Sequence, residues 1–204
     1  MEEKPLKITV LKSASEYELR EKSSLFIAAA FPVYGEDDFD TRLQAVKKEH
    51  YKARHHCYAF RLPAGERYSD AGEPSGTAGI RILNTIDHFK LQYTGVIVTR
   101  YFGGIKLGAG PLGKAYYEAA YGAIADATKK ELTLCVKLTI SAPLEEQHNI
   151  YNLLSRFQGR NIETHFGEEV IFQFVLLKER HAEFNRAVTD MYKIRLTAGE
   201  EFYA

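Results

Sequence analysis

The densest group of residues that could do chemistry runs from Arg100 to Ala120 and reads RYFGGIKLGAGPLGKAYYEAA. Glycines follow a β-branched strand and precede an Ala-rich helix, with three cations among them. Glycines at a helix N-terminus expose backbone N–H groups, and the helix dipole adds about half a positive charge, so anions are attracted. Tyr101 is placed where its ring could stack on a base. The predicted nucleic-acid or anion-binding residues here are Arg100, Tyr101, Gly103, Gly104, Lys106, Gly108, Gly110 and Lys114.

Two nucleotide-binding motifs match the same stretch, and both lack their required context. Gly108 to Gly113 spells G-x-G-x-x-G, but no acidic residue follows at the end of the next strand. Gly108 to Lys114 spells G-x-x-x-x-G-K, but Ala115 replaces the Ser or Thr that holds magnesium. We therefore expect no nucleotide cofactor of either kind, and a simpler alternative stays open in which the glycines only permit a tight turn and close helix packing.

A second motif, YSDAGEPSGTAGIRIL, runs from Tyr68 to Leu83. Asp70 and Glu73 could be an acid/base pair, but no nucleophile-plus-base arrangement surrounds them. They are better interpreted as local backbone acceptors or as ion partners of a nearby arginine. Ser75 or Thr77 can cap the helix that follows. The arginines considered as partners are Arg54, Arg67 and Arg81. The sequence thus leaves catalytic activity uncertain and favours a binding protein over an enzyme.

The third motif is ARHHCYAFRL, Ala53 to Leu62, which alternates as a strand does. Adjacent strand residues point to opposite faces, so His55 and Cys57 share one face and His56 lies on the other. Two ligands are too few for a zinc site, and we expect no metal. As a binding surface the motif is better, because cations alternate with rings that can stack or contact phosphate. Its candidate binding residues are Arg54, His55 and Arg61.

Charge is balanced over the whole chain and unbalanced along it. The 204 residues contain 27 basic and 27 acidic side chains, which disfavours a protein that coats nucleic acid over its whole surface. Arg42 to Lys114, however, holds 12 basic against 5 acidic residues, and ten of the 15 glycines lie between Gly65 and Gly113. A localised basic face therefore coincides with the three motifs.

Composition also bounds the class of protein and its compartment. Hydrophobic residues make up 45% of the chain and charged residues 26%, as in ordinary globular proteins. The N-terminus, MEEKP, has no apolar segment behind it, and the longest apolar run, Leu25 to Phe31, is far shorter than the ~20 residues of a membrane span. Cys57 and Cys135 form no C-x-x-C pair. We expect a cytoplasmic protein that does not contact membranes.

Hydrophobic periodicity predicts the elements that must position these motifs. The first half alternates strands and helices, with a β-branched strand buried on both faces at Val96 to Phe102. The predicted strands of this half are Leu6–Leu11, Glu16–Arg20, Ser24–Val33, Cys57–Leu62 and Val96–Phe102. Its predicted helices are Asp37–Tyr51, Gly76–Asp87 and Leu107–Lys129.

From Leu132 the pattern becomes β-α-β-β-α-β, with a hairpin around Gly167 and Glu168 and a second helix over 181–192. The sequence therefore predicts an α+β protein of two domains, residues 1–131 and 132–204. It does not specify an oligomeric state.

The motifs carry a family resemblance. ARHHCYAFRL, SDAGEPSGTAG and VIVTRYFGGIKLGAGPLGKAYYEAA, in this order and preceded by KSSLFIAAAFPV, resemble the YigZ/IMPACT family over about Lys22 to Ala127. The second half is similar to the small C-terminal domain of bacterial YigZ-type members. The chain departs from the family pattern at Ala71, Pro111 and Lys114, and the resemblance brings no established catalytic residues.

The resemblance implies a fold and a function. The N-terminal domain is expected to be similar to domain 2 of ribosomal protein S-five, and the C-terminal domain to the ferredoxin-like last domain of elongation factor G. Such a pair implies binding of RNA or the ribosome through the basic glycine-rich face, and a role in translation or its regulation. Two alternatives stay open: an enzyme or sensor for a small phosphorylated ligand at Gly103–Gly113, and a module that binds a protein partner, as in eukaryotic relatives.

Overall fold

The computed structural model describes residues 4–189, 191 and 193–204. The chain divides into two compact units, one formed by Thr9–Glu131 and the other by the residues up to Ile8 together with Leu132–Ala204. The division near Glu131 lies where the pattern of the sequence changes. The residues up to Ile8 group with the second unit, although the sequence predicts them in the first. Met1 to Glu3, Asp190 and Tyr192, which contribute to the sequence predictions, lie outside the described residues.

The chain is a mixed α+β protein with two sheets and five α-helices among the described residues. The elements, in chain order, are β1 (Lys7–Leu11), β2 (Ser15–Glu21), β3 (Ser24–Pro32), α1 (Glu36–Glu49), β4 (His55–Leu62), β5 (Gly65–Ser69), α2 (Gly79–His88), β6 (Thr94–Tyr101), α3 (Ala109–Asp126), β7 (Lys129–Ala142), α4 (Gln147–Phe157), β8 (Arg160–Phe166), β9 (Val170–Leu177), α5 (Lys178–Thr189) and β10 (Arg195–Tyr203). None of the described helices is long and apolar enough to cross a membrane.

The first sheet has the order β2-β3-β6-β4-β5, and all its neighbours are antiparallel. Its central strand, β6, is buried along its whole length except at Tyr101, which confirms the prediction of a strand covered on both faces. One face packs on α2 and α3, through Val98 and Tyr116 among others. The other face packs on α1, where Phe39 contacts Phe31 and Phe60.

Three features of this unit differ from the sequence prediction. Helix α3 ends at Asp126 and not at Lys129, which begins β7. Strand β5 is not predicted, because GERYS is short and polar and follows the turn residues Pro63 and Ala64. Helix α2 begins at Gly79 and not at Gly76. A Cβ atom on Gly79 would lie 2.7–2.8 Å from backbone atoms of Ser69, so the glycine lets the start of α2 touch the end of β5.

The second unit contains the predicted β-α-β-β-α-β succession, formed by β7, α4, β8, β9, α5 and β10. The strands are ordered β10-β7-β9-β8 with antiparallel neighbours, and β1 also pairs with β7. Buried side chains of both helices, such as Leu154 and Phe184, pack on those of β9, such as Phe172 and Phe174. Strand β8 lies at the edge of the sheet and is exposed at every residue except Thr164.

The close contact at Gly79 predicts a stability difference between two Gly→Ala substitutions. Gly79→Ala forces α2 away from β5 and should lower the free energy of unfolding by about 1–3 kcal/mol, the usual range for overpacking. Gly110→Ala is the matched control, since Gly110 also lies in the first turn of a helix but has nothing within 4 Å of an added Cβ. It should leave stability unchanged or raise it, because Ala favours helix. Urea unfolding of both variants measures this; equal losses would contradict it.

Candidate functional site

The three sequence motifs meet at one end of the first sheet, where β6 ends and β3 and β4 begin. Strand register places His55 opposite Arg100 and Leu25 opposite Tyr101. The loop from Phe102 to Gly108 leaves this end, and the loop that contains Asp70 and Glu73 reaches it from β5. We call this the motif end of the sheet.

Arg100 is buried at the motif end and is paired with an acid. Its side chain is 7% exposed, and its Nη1 lies 2.7 Å from Oε1 of Glu73, which is itself 5% exposed. Its Nη2 donates to Oγ of Ser24 at 3.4 Å. The rings of Phe26 and Phe102 cover the guanidinium, at 5.4 and 5.5 Å from Cζ. The sequence predicts Arg100 on an exposed basic face; the structure instead uses its charge to neutralise Glu73.

The pair belongs to a larger buried network formed by Ser24, Cys57, Glu73, Arg100 and Tyr116. The Tyr116 hydroxyl donates to Glu73 at 2.8 Å, and the Cys57 sulfur lies 3.3 Å from that hydroxyl and 2.9 Å from the Asp70 carbonyl. Burial raises the pKa of the Cys57 thiol to about 12 and raises that of Tyr116 as well. Both groups are therefore neutral at physiological pH, and the network carries the single charge pair of Glu73 and Arg100.

Asp70 caps α2 from a distance of several residues along the chain. One carboxylate oxygen accepts the N–H groups of Ala78 and Gly79 at 2.9 and 2.8 Å, and the other accepts that of Gly76 at 2.9 Å. Burial opposes ionisation, but the three donors outweigh it, so the pKa of Asp70 lies below its ordinary value. Among the alternatives for this motif, Asp70 has the geometry of a backbone acceptor.

Ser75 and Thr77, the other predicted polar residues of this loop, do not cap the helix. The Thr77 hydroxyl donates to the Pro74 carbonyl at 2.6 Å and is buried, whereas Ser75 is exposed. The cap predicted for one of them is supplied by Asp70, because the chain reverses direction between Asp70 and Ala78 and brings the carboxylate to the start of α2.

The glycine-rich loop is held by the same network. Gly103 donates its N–H to Ser24 Oγ at 3.3 Å, and a Cβ on Gly103 would overlap the backbone of Ser23. Gly104, Lys106 and Gly108 lie exposed in the loop, whereas Gly110 lies inside α3. Only part of the predicted glycine set is therefore loop backbone, and Gly103 serves close packing, as in the simpler interpretation of the sequence.

The remaining predicted residues have different surroundings. Arg54 and Lys106 are exposed, and neither forms an ion pair with another described residue. His55 is half-buried, with Nδ1 3.0 Å from the Ala71 carbonyl. Tyr101 faces the C-terminal end of α1, where its hydroxyl lies 3.0 Å from Nδ1 of His50. Lys114 is exposed on α3, and its Nζ lies 3.5 Å from Oε1 of Glu118.

Arg61 does not belong to this surface. It lies six residues from His55 along β4, about 20 Å at the rise of a strand, and it pairs with Glu66 and Asp87. The motif ARHHCYAFRL covers a whole strand, so its two ends cannot meet the same ligand group.

Further cations at the motif end escape the sequence prediction. One lies in the β2–β3 turn, and the others lie at the C-terminal end of α1 and in the segment that follows it. Contacts of His50 with Tyr101 and of His56 with Thr99 place that segment beside β6. All are exposed, and none forms an ion pair with another described residue. These residues are Lys22, Lys47, Lys48 and Lys52. The sequence signal is the run KKEHYKAR, Lys47 to Arg54, with four basic residues and one acid.

Three arginines of this unit have acidic partners away from the motif end. Arg61 is neutralised as described, Arg67 pairs with Glu36 and Asp40, and Arg42 pairs with Asp38. Their charges are therefore balanced locally, whereas the exposed cations of the motif end have no acidic partner among the described residues. Among the described residues no three His, Cys, Asp or Glu side chains come together as a metal ion would require.

Comparisons with known proteins agree with one another. The family profile described as "Impact N-terminal domain" matches residues 22–124. The chain is 33% identical to "IMPACT family member YvyE" of Bacillus subtilis, over 89% of this chain and 85% of that protein. It is 30% identical to "IMPACT family member YigZ" of Escherichia coli, over 88% and 92%. A solved structure described as "Crystal structure of an hypothetical protein" superposes with a TM-score of 0.68 at 28% identity, covering 96% of this chain and 98% of that one.

The buried charge pair predicts a large stability effect that depends on which partner is removed. Arg100→Met leaves the Glu73 carboxylate buried without its counter-charge and should cost about 3–5 kcal/mol. The double variant Arg100→Met/Glu73→Gln removes both charges and should be more stable than Arg100→Met alone. Urea unfolding measures both. The exposed pair Lys114 and Glu118 is the control, where Lys114→Met should cost less than about 0.5 kcal/mol. Additive losses in the double variant would show that the two side chains do not interact.

The raised pKa of Cys57 predicts an unreactive thiol. With a pKa of about 12, only about one part in ten thousand is thiolate at about pH 8, so alkylation of folded protein should be about a thousandfold slower than alkylation in denaturant. Cys135→Ser leaves Cys57 as the single thiol. Iodoacetamide labelling followed by mass spectrometry measures the rate. Labelling of the folded variant as fast as that of the unfolded chain would show that Cys57 is accessible.

Proposed function

The chain belongs to the IMPACT family, and from this premise we propose that it binds RNA, free or in the ribosome, through the exposed cations at the motif end. The proposed surface consists of Lys22, Lys47, Lys48, Lys52, Arg54 and Lys106. Its role would be in translation or the regulation of translation, as the family resemblance implies.

The observation that carries the proposal is the clustering, at one end of the first sheet, of six exposed cations that have no acidic partner among the described residues. Arg42, Arg61 and Arg67 of the same unit are neutralised by carboxylates. The six cations of the surface have no such partner among the described residues. Unpaired Lys and Arg side chains release counterions when they meet phosphates, and this release supplies most of the affinity of sequence-independent binding. A protein of zero net charge can bind RNA in this way because its positive potential is local.

Backbone and ring groups beside the cations support a polyanion as the ligand. The loop from Phe102 to Gly108 exposes Gly104 and Lys106, and the ring of Phe102 is 51% exposed. Exposed aromatic rings stack on unpaired bases, while Lys and Arg side chains contact the backbone phosphates. This arrangement favours affinity for RNA with little sequence specificity.

The finer fold assignments belong to the same proposal. The strand order β10-β7-β9-β8 with one helix after β7 and one after β9 supports a ferredoxin-like second unit, similar to the last domain of elongation factor G. We assign the first unit to the fold of domain 2 of ribosomal protein S-five by the family resemblance. A fold shared with translation proteins is an analogy and adds less weight than the charge distribution does.

The proposed surface predicts a salt-dependent weakening of RNA binding in one double variant. Arg54→Ala/Lys106→Ala should raise the dissociation constant for a structured RNA hairpin by about tenfold or more at low salt. It should also reduce the slope of log K against log salt by roughly 0.7–0.9 for each phosphate that the variant no longer neutralises. Fluorescence anisotropy measures both quantities. Arg42→Ala removes a paired arginine away from the motif end and should change neither.

Four outcomes would contradict the proposal. Absence of binding at low salt would exclude RNA, and equal effects of the double variant and of Arg42→Ala would exclude this surface. A nucleotide that raises the melting temperature while RNA does not would favour the small phosphorylated ligand at Gly103–Gly113. A protein partner that stays bound after nuclease treatment and at high salt would favour the protein-interaction alternative.

A further inference from the structure

We propose that the chain forms a weak symmetric dimer in which β8 pairs antiparallel with β8 of a second copy, with Thr164 of one copy opposite Thr164 of the other. The dimer concerns the second unit and is independent of RNA binding at the motif end. Its basis is the free edge of β8, the direction of its backbone hydrogen bonds and the order of its side chains.

Strand β8 is a free sheet edge that is regular from Glu163 to Phe166, after a register shift between Arg160 and Glu163 at which Asn161 has φ 51°. It pairs with β9 on one side and with no other strand of the described chain on its other side. Its sequence, RNIETHF, contains no proline or lysine, the residues that commonly block edge pairing. Ile162 is 39% exposed and Phe166 is 63% exposed, so apolar surface lies beside the free edge.

The hairpin bonds fix which backbone groups point outwards. Gly167 donates its N–H to the Glu169 carbonyl at 3.1 Å, and the register pairs His165 with Ile171 and Glu163 with Gln173. Hydrogen-bonded and non-bonded pairs alternate along an antiparallel ladder, so the odd-numbered residues of β8 bond to β9. Over the regular part of the ladder, the N–H and C=O groups of Thr164 and Phe166 therefore point to the free edge and can accept a second strand.

Side-chain order selects one two-fold register of β8 with itself. A two-fold axis at Glu163 would place two carboxylates opposite each other, and an axis at His165 would place two imidazoles opposite each other. An axis at Thr164 places Glu163 opposite His165 twice and Ile162 opposite Phe166 twice. An imidazole can donate a hydrogen bond to a carboxylate across an antiparallel ladder and apolar pairs pack favourably there, whereas two carboxylates directly opposite each other repel.

In a single copy, the two polar side chains that this register would pair are not already engaged in ion pairs. Neither Glu163 nor His165 forms an ion pair with another described residue. The two Thr164 residues face each other in this register, so their outward N–H and C=O groups can bond across the two-fold axis.

The size of the interface sets the expected affinity. A short stretch of one strand per copy buries less than the ~1,200 Å² of a standard stable interface, so the dimer belongs to the weak class. We expect a dissociation constant of roughly 100 μM, which sedimentation equilibrium of the full chain detects between about 10 μM and 1 mM.

The test uses charge reversal and mixing. Glu163→Arg and His165→Glu each replace an attractive pair by a repulsive or neutral one, and each variant alone should weaken dimerisation by about tenfold or more. An equimolar mixture of the two should dimerise again. In the mixed dimer the arginine introduced at position 163 of one copy faces the glutamate introduced at position 165 of the other, and the unchanged His165 and Glu163 face each other. Glu145→Arg reverses an exposed acid of the same unit away from β8 and is the control.

Recovery in the mixture, with each variant alone monomeric, supports the pairing with its axis at Thr164. Wild-type chain that stays monomeric at the highest concentration overturns the proposal, as does a dimer that neither substitution weakens. Weakening by Glu163→Arg without recovery in the mixture also overturns it, since the two charges then do not face each other. Circular dichroism of each variant checks that the fold is intact.

Discussion

The buried ion pair between Arg100 and Glu73 is the interaction on which the first unit depends. Two charges inside a core are costly unless they are paired and hydrogen-bonded, so every element that contacts them is fixed in place. Arg100 lies on the central strand, Glu73 on the loop before α2, and Tyr116, which donates to Glu73, on α3. One charge pair thus joins the sheet to both helices of one face, and the motifs that identify the family are to a large extent the residues that make this junction.

Because the residues of this junction face inwards, the surface at the motif end is made by exposed residues around them, some of which belong to the same motifs. Lys22, Lys52 and Arg54 belong to turns and loop ends, and their side chains are exposed. The zero net charge of the chain conceals this difference, since paired arginines and unpaired lysines count equally in a sum. Whether a carboxylate lies beside a basic side chain decides whether that side chain is available to a polyanion.

Much of the fold can be predicted from the local pattern of apolar residues in the sequence. The arrangement of the site can be predicted from that pattern only in part. The buried strand β6, the Ala-rich helix α3 and the β-α-β-β-α-β succession are predictable because their apolar periodicity is strong and continuous. Strand β5 is not, because its five residues contain no apolar alternation. The burial of Arg100 does not follow from a strand that ends in Arg-Tyr, because it depends on an acid 27 residues earlier in the chain. Proximity in sequence places the cap of α2 at Ser75 or Thr77, whereas the acceptor comes from Asp70.

The remote position of that cap has a consequence for how the unit assembles. A helix with an adjacent capping residue can begin to form from local contacts alone, but α2 obtains its acceptor only after the chain has turned at the end of β5. The Cys57 sulfur also lies 2.9 Å from the Asp70 carbonyl, which ties the capping residue to β4. Opening of the β4–β5 hairpin would therefore also remove the cap of α2, so the stability of the first turn of this helix is coupled to that of the hairpin.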